Sequence, residues 1–262
     1  LGRTDYRTRL RTSKRTSSYN PVRGVVTEYS VPEYGATWTT SRSRVHTLIY
    51  GSDARRPVIP FSDVGRAAYC PRQLYYARRD EDSDVPETAR ARIDLAYRYP
   101  ALVDAPDRTL RRLPIRRSPA AYRRNLDRLC ERDDYRGLVD PERERAFVAG
   151  KDCHGTIYKI LAGGDGASAD PPVPTVVSPG EPPKNGVWRA QSVRGVAVAK
   201  ALSWEREREI PRVLVEYPSV GVVREVRLTT RTKAAYRRAL RAARSIDGPP
   251  ARVDDDRCSA CD

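Results

Sequence analysis

From Phe147 onward the apolar pattern reads strand, strand, strand, helix, strand, strand, helix, and that order calls for an α/β domain. Phe147-Val148 and the runs at 156–161 and 173–178 have strand length. A stretch rich in Gly, Ala, Asp and Pro over 162–172 separates the second from the third, and three prolines with a glycine make 179–185 a loop. The segment 190–208 sets Val193, Ala197, Ala201 and Trp204 on one helical face. Strands at 212–217 and 220–228 flank Pro218-Ser219. A basic helix over 231–245 turns Tyr236, Leu240 and Ala243 toward the core.

Helices precede this sheet. Order begins at Phe61, where Ser62 or Asp63 is placed to cap a helix that Pro71 kinks or ends. The segments 87–98 and 119–132 also read as helices. The second starts at Ser118-Pro119, with Pro in the first turn, and carries an apolar stripe of Tyr122, Leu126 and Leu129 opposite Arg123, Arg124 and Arg128. Residues 1–59 show no sustained period and hold Arg3, Arg7, Arg9, Arg11, Lys14 and Arg15 among Thr and Ser. They read as a disordered basic extension or upstream translation, and 60–262 as the folded domain.

The net charge of +15 points to a polyanionic partner, nucleic acid first. Of the 49 Lys and Arg only six are Lys, and the guanidinium fork suits phosphate because it pairs two oxygens at once. No run of 18 apolar residues exists, so no membrane span is expected. The first twenty residues show no apolar segment of signal-peptide type, and the odd cysteine count reads as a reducing cytoplasm. A chain that starts at Leu1 and contains no Met reads as a truncated product or a displaced gene start.

Five cysteines, Cys70, Cys130, Cys153, Cys258 and Cys261, do not suit a disulfide framework and read instead as a reduced set with some metal ligands. Cys258-x-x-Cys261 lets two thiolates reach one metal. Taken alone, that spacing also fits a redox pair or half a zinc site completed by Cys130, Cys153 or His154. Cys130 and Cys153 read more simply as small buried hydrophobes.

Phe61-Ser62-Asp63, the run Tyr69-Cys70-Pro71-Arg72-Gln73-Leu74-Tyr75-Tyr76, and Pro249-Pro250 ahead of Cys258-x-x-Cys261 carry a family likeness. In these features the chain resembles the CRISPR-associated RecB-like exonucleases of the PD-(D/E)XK superfamily. The resemblance implies a restriction-endonuclease-like core sheet flanked by helices, with an N-terminal helical part and a C-terminal cysteine segment. It implies a 4Fe-4S cluster held by Cys70, Cys258 and Cys261. The family's fourth ligand lies several residues after the CxxC, and this sequence ends at Asp262. It also implies Mg2+- or Mn2+-dependent action on single-stranded DNA or DNA with overhangs, alongside CRISPR adaptation proteins in spacer acquisition.

The family's catalytic pattern places an Asp on one strand and Glu-x-Lys on the next, where residues i and i+2 share a face and hold the metal. Here Gly155-Thr156-Ile157-Tyr158 puts Tyr158 at the Asp position, and 174–180 puts Val176 and Ser178 at the Glu and Lys positions. These residues supply neither a carboxylate nor a lysine. Asp152, His154 and Glu181 are the nearest substitutes for a displaced metal site, while Gln191 echoes the family's Gln with Gly195 in place of its Tyr. Three readings follow: a nuclease acting on DNA ends, a catalytically inactive iron–sulfur DNA-binding relative, and a truncated product without function. Arg237, Arg241 and Arg244, at i, i+4 and i+7, form the candidate phosphate-binding row.

Overall fold

The computed structural model describes residues 57–80, 85–163 and 170–252. Cys258, Cys261 and most of the N-terminal extension lie outside the described residues. The elements are β1 (Ile59–Pro60), α1 (Phe61–Tyr69), α2 (Pro71–Ala77), α3 (Glu87–Asp94), a 3-10 turn (Leu95–Tyr97), α4 (Tyr99–Val103), α5 (Asp107–Leu110), α6 (Pro119–Cys130) and α7 (Tyr135–Val139). Then come β2 (Arg143–Ala149), β3 (Cys153–Leu161), β4 (Val173–Val177), α8 (Arg189–Glu205), β5 (Arg212–Tyr217), β6 (Val222–Arg227) and α9 (Thr230–Ser245).

The fold is α/β, with a six-stranded mixed sheet in the order β1-β3-β4-β5-β6 and β2 paired to β3. β2, β3 and β4 run antiparallel in succession, whereas β4 and β5 are parallel because α8 carries the chain back between them. Two apolar cores lie against the sheet. One joins Phe61 and Val64 of α1, Val196 and Ala197 of α8, and Tyr236 and Leu240 of α9 to Val176 and Val215. The other joins Leu95, Tyr99, Tyr122, Leu126 and Leu138 to Val177 and Leu214.

Local chemistry accounts for most boundaries. α1 stops at Tyr69; Pro71, two residues on, opens α2 and keeps Cys70 between them in extended conformation. The Ser118 hydroxyl accepts from Ala121 N and caps α6 as the sequence leads one to expect. At Gly150 an added Cβ would lie 2.5 Å from Ala201 Cα, so the β2–β3 turn closes directly on α8. Gly221 has φ +68 and permits the turn between β5 and β6, which delays β6 to Val222.

Three expectations need correction. The residue preceding α1 is Pro60, and neither Ser62 nor Asp63 caps it; Asp63 is buried and receives Arg78 Nε at 2.9 Å. The folded part starts ahead of Phe61, since buried Ile59 pairs in parallel with Cys153. Trp204 has helical phase with Val193 yet is 60% exposed, because it sits in the last turn of α8, beside Lys151 and Asp152 at the sheet's end.

Candidate functional site

β3 and β4 pair through Ile160–Pro174 and Leu161–Val173. The positions singled out in the sequence, Tyr158 on β3 and Val176 on β4, lie beyond these paired residues. The chemistry at these positions is not that of a cation site. Arg194 Cζ stands 5.6 Å from the Tyr158 ring centroid, and the Tyr158 carbonyl accepts from Tyr97 OH at 3.2 Å. Val176 is 1% exposed and packs in the core shared with α8. Ser178 is buried, and its hydroxyl accepts from Gln191 Nε2 at 2.9 Å and from Gly180 N at 3.3 Å. Tyr217 OH in turn donates to Gln191 Oε1 at 3.1 Å, and burial pushes the Tyr217 hydroxyl up to about 12. A ring, two methyls and a neutral hydroxyl offer no anionic oxygen, so these residues do not fit Mg2+ or Mn2+.

The substitutes are engaged elsewhere. Asp152 Oδ1 receives Arg244 Nη2 at 2.9 Å. Glu181 receives Arg117 Nη2 at 2.6 Å and lies 3.6 Å from Arg116 Nη1. The Arg117 hydrogen bond, aided by Arg116, holds the Glu181 carboxyl below the ordinary range. Among the described residues no three His, Cys, Asp or Glu side chains converge as metal ligands, so Asp152, His154 and Glu181 do not assemble.

Beside Tyr158 lies a cleft of about 580 Å³, bordered also by Phe147, His154, Arg145 and Arg194 among others. Phe147 is 54% exposed, with its ring 5.9 Å from that of His154. Nδ1 of His154 is buried without a partner, and burial lowers the imidazole's pKa below its usual value. Arg194 Nε is likewise buried and unpartnered. Arg145 is tied to Asp94 at 3.2 Å and stacks over Tyr97.

Cys70 alone of the three implied cluster ligands is among the described residues, and it is buried with a free thiol. Next to it, Arg72 Nη1 donates to Pro250 O at 2.9 Å. The start of the C-terminal segment is thus held beside the Cys70 turn. Cys130, at the end of α6, is only partly buried and so is not the buried hydrophobe the sequence suggests. Cys153 is buried 3.4 Å from Tyr236 OH, and burial raises its thiol to about 11, the profile of an inert core residue.

The row on α9 is shorter than its spacing suggests. Arg237 and Arg241 are exposed. Arg244 is not available to a phosphate: its side chain is 17% exposed and is held by Asp152 and by Pro57 O. Arg238, also exposed, takes its place beside the other two.

Sequence reasoning missed one charged pair altogether. Lys159 and Glu216 are both fully buried, with Nζ 3.1 Å from Oε2. A signal was present, since each is the single charge inside an otherwise apolar strand core, and the signs are opposite. No protein-family model matches the chain, and no curated protein matches it.

Proposed function

We propose that this chain is a catalytically inactive, DNA-binding relative of the CRISPR-associated RecB-like nucleases. The observation that carries the reading is that Tyr158, buried Val176 and hydrogen-bonded Ser178 stand where the resemblance would place metal-binding carboxylates and a lysine. The strand order supports the restriction-endonuclease-like ancestry: three antiparallel strands, a crossover helix and a strand parallel to the third. With the carboxylates gone, the remaining function is binding. The net charge of +15 and the exposed Arg237, Arg238 and Arg241 suit a phosphate backbone, without a base-reading element and hence without strong sequence preference.

The same reading assigns Cys70, Cys258 and Cys261 to a 4Fe-4S cluster, which would act as a staple between the first helices and the tail. The Arg72–Pro250 hydrogen bond supports it. Eight residue steps lead from Pro250 to Cys258, a reach of up to about 27 Å at ~3.4 Å per extended residue. Partnership with CRISPR adaptation proteins at DNA ends follows from the resemblance alone. The test is cleavage and binding of single-stranded and overhanging DNA by the full chain with manganese. Binding without cleavage is the expected result. Robust metal-dependent cleavage, abolished by Asp152→Ala or Glu181→Ala, overturns the reading.

A further inference from the structure

We propose that a groove between α6 and the edge strand β6 is a phosphate-binding site. It is separate from the degenerate metal positions and does not depend on the DNA-binding reading. The groove has a volume of about 250 Å³ and is bordered by Asn125, Arg128, Leu129 and Arg132 of the α6 side and by residues 221–224 of the β6 side. Its construction is local. Tyr122, Leu126 and Leu129 bury one stripe of α6, and Asn125, Arg128 and Arg132 follow along its flank at i, i+3 and i+7. Asn125 Nδ2 donates to Val220 O at 2.7 Å and ties the helix to the β5–β6 turn. At Gly221 an added Cβ would meet Leu126 Cδ2 at 3.3 Å, so the turn lies close under the helix.

Three guanidinium groups share this groove, and none of the residues bordering it is a carboxylate. Arg132 Nη2 is held by Asp134 Oδ2 at 2.8 Å, which fixes that fork in place. Nε of Arg132 and Nε of Arg224 are both buried without a hydrogen-bond partner. Neither Arg128 nor Arg224 makes an ion pair among the described residues. Asp134 offsets the charge of Arg132, which leaves Arg128 and Arg224 as uncompensated like charges at the groove, and an anion with several acceptor oxygens relieves that repulsion. A tetrahedral phosphate group presents such oxygens to more than one planar fork, which a single carboxylate does less well. The phosphate can belong to a nucleic-acid backbone or to a free phosphorylated molecule, and the same chemistry recognises both.

The experiment titrates the folded full chain with pyrophosphate by calorimetry and, separately, measures the salt dependence of binding to a labelled single-stranded oligonucleotide. Both are repeated with Arg128→Gln/Arg224→Gln and with Arg111→Gln/Arg112→Gln, which removes equal charge from elsewhere on the surface. Circular dichroism checks that each variant is folded. The expected result is pyrophosphate binding lost in the first variant and kept in the second. If the first variant also flattens the salt slope by about two units, the phosphate is that of the polymer. If the slope is unchanged, or if the wild-type chain binds no DNA, the site takes free phosphorylated molecules. Pyrophosphate binding that is absent or insensitive to the first variant, together with an unchanged salt slope, overturns the proposal.

Discussion

Lys159 Nζ lies 3.1 Å from Glu216 Oε2, and both side chains are completely shielded from solvent. Lys159 stands on β3 and Glu216 on β5, so the pair spans β4. The ammonium also donates to Ala96 O at 2.6 Å and Leu138 O at 2.9 Å, and it sits about 5 Å from the Tyr97 and Tyr99 rings. One charged group thereby ties the helical layer of residues 95–138 to the sheet. Lys159→Met should cost about 3–5 kcal/mol, because Glu216 is left as an unpaired buried charge. Lys159→Met/Glu216→Leu should be more stable than the single variant. Urea denaturation midpoints decide the matter; a double variant no more stable than Lys159→Met would remove the pair from the account.

His154 gives a pH dependence with a defined sign. Burial lowers its folded-state pKa, against a smaller raising effect of Asp63, so the unfolded chain binds its proton more readily. Its contribution to stability is complete above the unfolded pKa of about 6.5 and is lost as pH falls through the lower folded value. The paired carboxylates Asp134, Glu181 and Glu225 have pKa values below the ordinary range and act at more acid pH. Between pH 7.5 and 5.5 the melting temperature should therefore drop, and in His154→Gln it should drop less. Parallel pH profiles for the two proteins would rule His154 out as the cause.

The α9 surface should contribute electrostatics rather than sequence readout. Arg237→Gln/Arg241→Gln is expected to weaken single-stranded DNA binding equally across sequences and to reduce the slope of log K against log salt by about two. Arg244→Gln should instead lower stability, since that guanidinium holds Asp152 and Pro57 O. Anisotropy titrations over a salt series, paired with melting curves, separate the two effects. Equal losses of binding from all three positions would restore Arg244 to the phosphate-binding row.

Cys70 is expected to govern iron content. Anaerobic reconstitution with iron and sulfide should give a coloured protein, and Cys70→Ser should lose most of the colour while Cys130→Ser keeps it. A colourless wild-type chain would remove the cluster from the proposal.

The strands and long helices were legible because their signals are short-range: period, proline, capping serine. β4 reads directly from its apolar run, and α6 from Ser118 and its stripe. Trp204 was misplaced because helical phase says nothing about where a sheet ends. Arg244 was misplaced because spacing on α9 does not reveal Asp152, which arrives from the β2–β3 turn. Ile59 escaped because a two-residue strand has no period of its own. At the candidate site, the lack of a carboxylate or lysine at Tyr158, Val176 and Ser178 is readable from residue type alone. The Ser178–Gln191–Tyr217 chain of hydrogen bonds was not, since it depends on β5 lying beside β4.

The packing of α1 against α8 and α9 has a consequence for synthesis. α1 leaves the ribosome first among the long helices, and its second packing partner, α9, leaves last. At about 5–20 residues per second, roughly ten to forty seconds pass between them. Gly155 of β3 and then α8 emerge earlier and cover part of that face, but until α9 follows, the apolar face of Phe61, Val64, Ala67 and Ala68 stays only partly covered.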